Sequence, residues 1–205
     1  MSAIIKSLVD FKNIHKGSKI IVCGCGTSLT EIRDTYSNYI TIGVNDVPLL
    51  FQPTYLLVTD HPGRFHGNRK DIINKSTAKH LFTCVKGWRH KSIVHFSLGS
   101  RELKNLDRVD VIDHFVNSPY VATILAYKLG ATNIGLIGVD FTDGHFYNKS
   151  DGPHPVIKVN YLKRVNNSYQ LLRSEFEKRG VKLYNLSQTS RLDIPKITLS
   201  DFDKL

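Results

Sequence analysis

The sequence is built around short, continuously apolar runs that end in glycine. Lys19–Cys23 runs into Gly24-Cys-Gly26, and residues 133–138 form a second such run. Runs of this length without polar alternation are typical of parallel strands, which are buried on both faces of a sheet. Helical patterns at 119–129 and 158–179 lie between such runs. The alternation predicts an α/β fold, Rossmann-like, with a mainly parallel sheet and helices on both faces.

Capping residues indicate where the helical segments begin and end. Ser28 is followed three residues later by Glu31, the spacing of a capping box, and predicts a helix start. Ser118 is a natural N-cap for the helix at 119–129, and Gly130 ends that helix. The remaining patterns predict strands at 39–43, 54–59, 81–85, 92–96, 109–113 and 181–184, and a short helix at 68–74.

The chain has 205 residues, with no internal repeat and no low-complexity linker. This length predicts a single domain over 1–205. Three cysteines, too few for a disulfide scaffold, fit a reducing cytoplasm. No apolar run is long enough to span a bilayer or to form a signal segment, so we expect a cytoplasmic protein.

The charge is strongly basic and unevenly distributed. The formal net charge is +10 and the isoelectric point is about 9.5. A basic segment at 61–108 holds eleven Lys and Arg against three Asp and Glu, whereas acidic residues predominate over 109–157. Such a balance favours an anionic partner, although a charge run is also compatible with an ordinary solvated surface.

The turn Gly24-Cys-Gly-Thr-Ser28 follows a strand and opens a predicted helix. Free backbone amides at such a position bind phosphate. The turn lacks the third glycine of a dinucleotide fingerprint and the lysine of a P-loop. Gly24, Gly26, Thr27 and Ser28 are therefore candidate nucleotide-binding residues, and a simple tight turn is the alternative.

Polar residues also follow the next two predicted strands. Asn45 and Asp46 come after the second, where a ribose or base lies in folds of this kind. Asp60 and His61 come after the third. They are candidate nucleotide contacts, and a metal site that includes His66 is the alternative.

The last candidates lie at the start of the 119–129 helix and after the strand at 133–138. The Ser118 hydroxyl could cap the helix or help its free amides to hold an anion. Asp140 stands at the strand end and could orient a histidine. A loop at about 142–157 then carries His145 and His154, either of which could be a general base or acid.

In this order, the motifs resemble those of one superfamily. Gly24-Cys-Gly-Thr-Ser-Leu29 is similar to the Gly-x-Gly-Pro-Ser-Leu opening of the family 42 sialyltransferases. The motility-accessory-factor flagellin glycosyltransferases and their pterin-diphosphokinase-like relatives open in the same way. The resemblance covers nearly the whole chain and continues through Asn45, Asp60-His-Pro62, Ser118 with 120–130, 134–141 and 180–187.

The resemblance implies a glycosyltransferase that takes a nucleotide-sugar donor as substrate and needs neither a cofactor nor a metal. It assigns nucleotide binding to Gly26, Ser28, Asn45 and Ser118. It also implies that Tyr147 assists the departing phosphate. A histidine in the lid loop would be the general base, with His154 at the matching place and His145 as its rival.

Two departures from the pattern leave the sugar open. Thr27 replaces proline, and Asp60-His61 stands where the sialyltransferases carry Asn before Pro. The basic segment at 61–108 lies outside most of the motifs, so we expect an anionic acceptor such as DNA or an acidic glycan. The long helix at 158–179 could form a homo-oligomer contact.

Two alternatives remain at this point. One is a Mg²⁺-dependent, diphosphokinase-like phosphotransferase that would use Asp46, Asp60 and Asp140. The other is a non-enzymatic nucleic-acid-binding module that would use the basic segment.

Overall fold

The computed structural model describes residues 4–115, 117–142, 144–147 and 159–205. Eight strands form one sheet in the order β1-β6-β5-β4-β3-β2-β9-β10, and every neighbouring pair is parallel. These strands are β1 Ile4–Ser7, β2 Lys19–Cys23, β3 Ile40–Val44, β4 Tyr55–Val58, β5 His80–Thr83, β6 Ser92–His95, β9 Asn133–Ile137 and β10 Lys182–Asn185. A separate parallel pair is formed by β7 Ser97–Leu98 and β8 Val111–Ile112. The helices are α1 Arg69–Asn74, α2 Ser118–Lys128, α3 Val159–Glu177 and α4 Leu199–Asp203.

The predicted parallel α/β architecture is confirmed. The predicted strands are present with their ends moved by one or two residues, except that 109–113 shortens to β8 in the small second sheet. Two strands were missed, β1 and β7. Both are short and half polar, with Lys6 and Ser7 in β1 and Ser97 in β7, so neither shows a continuously apolar run.

Alternate side chains of the strands enter a large core on one face of the sheet and two smaller cores, one around Ile21 and one around Leu56, on the other face. Ile20 and Val22 pack with α2 and α3, where Tyr169 is fully buried. Ile21 and Cys23 pack on the other face with short 3-10 turns and α4. Both faces of the sheet are therefore covered, which is why the strands carry apolar residues without alternation.

Two predicted helix starts are corrected by the structure. The segment after Gly26 is a 3-10 turn, Thr27–Ile32, and no side chain caps it. The capping box fails because the Ser28 hydroxyl is hydrogen-bonded to Asp140 instead. At α2 the N-cap is Asn117 rather than Ser118, since Asn117 Oδ1 accepts from the Tyr120 N–H at 2.9 Å.

The sheet changes its winding direction between β2 and β9. The chain leaves β2 over one face, through the 3-10 turn that packs with Ile21, and leaves β9 over the opposite face through α3. Connections that diverge in this way open a crevice at the carboxyl ends of the two strands, where ligands bind in open α/β sheets.

Candidate functional site

A cleft of about 520 Å³ lies at the carboxyl edge of the sheet, at this change of direction. Residues from separate strand ends meet in its wall, as the sequence predicts. The candidates that line it are Gly26, Asn45, Asp46, Asp60, Ser118, Asp140, His145 and Tyr147. Gly24, Thr27, Ser28 and His61 are not among its described lining residues.

The glycine turn is held by a carboxylate. Asp140 accepts from the Ser28 backbone N–H at 2.9 Å and from the Ser28 hydroxyl at 2.6 Å. The same hydroxyl accepts from the Gly138 N–H at 2.9 Å. Ser28 and Asp140 are both buried, so the anion on this amide is the side chain of Asp140. Gly26 is the part of the turn that lines the cleft.

Asn45 and Asp46 follow β3 with different surroundings. Asn45 adopts a left-handed conformation with φ +49°, and its buried Oδ1 has no partner in the described structure. Asp46 is buried and accepts a bidentate pair from Arg69, with Nε 2.8 Å from Oδ1. The Tyr147 hydroxyl donates to Asp46 Oδ2 at 3.3 Å. Burial and the Asp46 carboxylate raise the pKa of Tyr147.

Arg69 is a site residue that the sequence reasoning missed. It lines the cleft, stacks on the Phe65 ring at 5.0 Å and reaches Asp46 from α1. In the sequence it is one cation among many in the basic segment. The usable signal was the short helix predicted at 68–74, which brings Arg69 towards the strand ends.

Asp60 and His61 separate, although they are adjacent in sequence. Asp60 lines the cleft and pairs with exposed Arg64 at 3.0 Å. His61 is exposed, and its Nδ1 accepts from the Gly63 N–H at 3.1 Å, which caps a local turn. No group of three or more potential metal ligands is found among the residues that the structure describes.

The start of α2 forms the opposite wall. Ser118 is buried, and its hydroxyl lies 3.1 Å from that of Thr59 at the end of β4. His114 and Asn117 line the same wall, and neither is a candidate in the sequence analysis. The only sequence signal was their position just ahead of a capped helix.

The lid loop is described only at its beginning. His145 and Tyr147 both line the cleft, and their rings stack with centroids 5.2 Å apart. His154 and the rest of 148–157 lie outside the described residues. The structure therefore brings His145 to the site, and the assignment to His154 stays a prediction.

The Asp46–Arg69 pair gives a prediction for stability. Arg69→Met would leave a buried carboxylate without its partner, and because Arg69 itself is one-third exposed we expect a loss of about 1–3 kcal/mol. Urea denaturation would measure it. Arg64→Met is the matched control, since it breaks an exposed pair and should cost under about 1 kcal/mol. Equal losses in the two variants would contradict the prediction.

Cys25 lies inside the glycine turn and lines the cleft. Burial, and secondarily Asp46, raises the pKa of its thiol from 9.0 to about 12. At pH 8 the native thiolate fraction is then about 10³ lower than in the unfolded chain. A more basic thiolate is also more nucleophilic, so the net slowing is about 30- to 60-fold.

Iodoacetamide labelling at pH 8, in a Cys23→Ala/Cys84→Ala background, tests this value. We expect slow alkylation in buffer and fast alkylation in urea. Because the folded pKa is raised, Cys25 contributes stability that is complete below about pH 9 and is lost towards pH 12. Alkylation at the same rate in both states would contradict the raised pKa.

Comparison with solved structures identifies glycosyltransferases with this architecture. The MAf glycosyltransferase from Magnetospirillum magneticum AMB-1 matches with a TM-score of 0.60 and 12% identity over 95% of this chain. Our chain spans only 37% of that protein. The sialyltransferase CstII from Campylobacter jejuni, solved with cytidine-5'-monophosphate, gives 0.52 and 16% over 90% of this chain and 86% of its own. The alpha-2,3-sialyltransferase Cst-I from the same organism gives 0.56 and 18% over 89% and 80%.

At these identities the similarity establishes the fold. The chain has the Rossmann-like α/β fold of the sialyltransferase-like glycosyltransferases, as the motifs predicted. No protein-family model matches the sequence, and no curated protein matches it either. Among the described residues no helix is long and apolar enough to cross a membrane.

Proposed function

We propose that this protein is a glycosyltransferase that moves a sugar from a nucleotide-sugar donor to a hydroxyl of an anionic acceptor. The observation that carries the proposal is the cleft at the β2/β9 switch point, with Gly26, Asn45 and Ser118 in its wall. Structural neighbours with the same fold are glycosyltransferases, and CstII was solved with cytidine-5'-monophosphate.

In this proposal the donor lies across the cleft, from the end of β3 to the start of α2. The ribose and base meet Asn45, whose Oδ1 needs a donor. The phosphates lie at the amino end of α2, next to the Ser118 hydroxyl, where the helix dipole favours an anion.

A histidine of the lid loop removes the proton from the acceptor hydroxyl as the glycosidic bond opens. His154 is the first candidate, and His145, which lines the cleft, is the second. Tyr147 stabilises the charge that develops on the departing phosphate. The Tyr147 hydroxyl now donates to Asp46, so this role requires it to exchange that hydrogen bond for one to phosphate.

The carboxylates of the cleft support chemistry without a metal. Asp46 is engaged by Arg69, and Asp60 by Arg64. Asp140 accepts two hydrogen bonds from Ser28. A Mg²⁺ ion would have to displace these partners before it could bind the three carboxylates together.

The net charge of +10 supports an anionic acceptor. Within the basic segment at 61–108, four cations already form ion pairs: Arg64, Arg69, Lys104 and Arg108. The others, including exposed Lys70 in α1 and exposed Lys86 after β5, form no ion pair with a described residue and can meet an acceptor such as DNA or an acidic glycan.

A thermal-shift screen against CMP-, UDP- and GDP-sugars and ATP, with and without Mg²⁺, tests the proposal. A donor present at 100 times its Kd stabilises the folded state by about 2.7 kcal/mol and raises the Tm. We expect a shift with one sugar nucleotide that EDTA does not remove. A shift only with ATP and Mg²⁺ would favour a phosphotransferase. Salt-sensitive nucleic-acid binding without any nucleotide shift would favour a binding module.

A further inference from the structure

Two side chains beside the start of α2 carry polar atoms without a partner. His114 Nδ1 and Asn117 Nδ2 are buried, and neither forms a hydrogen bond of normal length and angle with the described part of the chain. The Asn117 side chain is nevertheless close enough to the Tyr161 hydroxyl to offset part of the rise in its pKa that burial causes. Both residues line the cleft. Because an unpaired buried polar atom is costly, a pair of them in the wall of a cleft indicates a ligand that completes their hydrogen bonds.

The side chain of Asn117 can offer a ligand only a hydrogen-bond donor. Its Oδ1 accepts from the Tyr120 N–H at 2.9 Å and lies 3.3 Å from the Tyr169 hydroxyl, which donates to it. A backbone N–H can only donate, so the oxygen must occupy this N-cap position. Nδ2 is the atom left over, and it can only donate. A ligand that completes Asn117 must therefore present an acceptor.

The loop that carries His114 is held rigidly. Asp113 is buried and accepts from Ser100 N at 2.8 Å and from Asn105 N at 2.6 Å. The backbone N–H of His114 donates to the Ser100 carbonyl oxygen at 3.1 Å. Buried Lys128 donates to three carbonyl oxygens of the same loop. This support fixes the backbone that carries His114 before any ligand arrives.

An anion in this cleft has no unpaired lysine or arginine to meet among the described lining residues. Arg69 is the one lysine or arginine in the described wall, and its charge is neutralised by the ion pair with buried Asp46. The charge of a bound phosphate must be balanced by other donors, namely the imidazole of His114, the amide of Asn117 and the Ser118 hydroxyl at the start of α2.

We propose that His114 and Asn117 are a phosphate-recognising pair. Each donates a hydrogen bond, from the imidazole N–H and from Nδ2, to a phosphoryl oxygen of a nucleotide at the start of α2. The proposal rests on the proposed function for its ligand, because it takes that phosphate to belong to the nucleotide-sugar donor. The pair is expected to discriminate a nucleotide from the nucleoside that lacks the phosphate.

Isothermal titration with CMP, UMP, GMP and AMP, and with the nucleoside matching the tightest of them, tests the pair. Asn117→Asp is the sharpest variant, since Asp keeps the N-cap oxygen and replaces the donor by a negative oxygen. We expect it to raise the nucleotide Kd by at least about 100-fold, and His114→Gln to raise it about 10- to 100-fold. The nucleoside Kd should change less than about 3-fold in either variant. Exposed His66→Gln is the matched control.

Equal losses of nucleotide and nucleoside affinity, or no loss, would overturn the proposal. Thermal unfolding of each variant shows that it is folded. If the variants behave as expected but the wild type transfers sugar from none of CMP-, UDP- and GDP-sugars, the proposed function fails and the phosphate pair stands. If the wild type binds none of the four nucleotides, both fail.

Discussion

Gly138→Ala is expected to destabilise the protein by roughly 4 kcal/mol, enough to remove most of the stability of a domain of this size. Gly138 directly follows β9 and has φ +67°, a conformation that costs an L-residue about 1–2 kcal/mol. A Cβ at this position would also lie 2.4 Å from the Gly24 carbonyl oxygen. This is a backbone atom, so relief would require β2 and β9 to move apart.

Gly180→Ala is the control that separates backbone strain from the steric clash with a neighbouring strand. Gly180 has a similar φ of +73°, and a Cβ there would have no heavy atom within 4 Å. It should cost only the conformational part, about 1 kcal/mol. Urea midpoints of the two variants, or soluble yield where Gly138→Ala does not accumulate, measure the difference. Similar losses would mean that the two strand ends can separate cheaply.

This contact shows which part of the fold the sequence could predict. The runs that became β2 and β9 were readable because burial on both faces requires continuous apolar residues. The glycines that follow these runs predict turns. The contact between Gly24 and Gly138 could not be predicted, because it depends on β9 entering the sheet beside β2 after more than a hundred residues.

The candidate site likewise contains residues that the sequence could predict and residues that it could not. Asn45, Asp60 and Ser118 were predicted from their places after strands or before a helix, and a parallel sheet brings such places to one edge. The sequence predicts Ser28 as a helix cap because Glu31 follows it at the spacing of a capping box, and this prediction is wrong. The actual partner of Ser28, Asp140, lies 112 residues further along the chain.

The residues that the sequence analysis did not name carried only weak local signals, a short predicted helix for Arg69 and a position ahead of a capped helix for His114. The sequence pattern around Arg69 indicates a charged surface, and the pattern around His114 indicates a loop. Their place in the wall is set by tertiary contacts, with Asp46 for Arg69 and with the anchored Asp113 loop for His114. Single-sequence patterns report periodicity and capping, and neither bears on such contacts.

The largest expected effect on activity comes from the lid histidines. If His154 is the general base, His154→Ala should reduce single-turnover sugar transfer by about 10²- to 10⁴-fold, because a positioned base contributes that much to rate. Donor affinity should stay nearly constant, since the base acts on the acceptor hydroxyl. Quenched-flow transfer assays and a separate donor titration measure the two quantities.

His145→Ala decides between the two histidines, with exposed His66→Ala as the control. The His145 ring stacks on Tyr147 in the cleft, so its removal also loosens the residue proposed to assist the leaving phosphate. A base at His145 would give the full rate loss there and little at His154. A supporting role would give a smaller loss that Tyr147→Phe reproduces. Full transfer in both histidine variants would contradict base catalysis by a lid histidine.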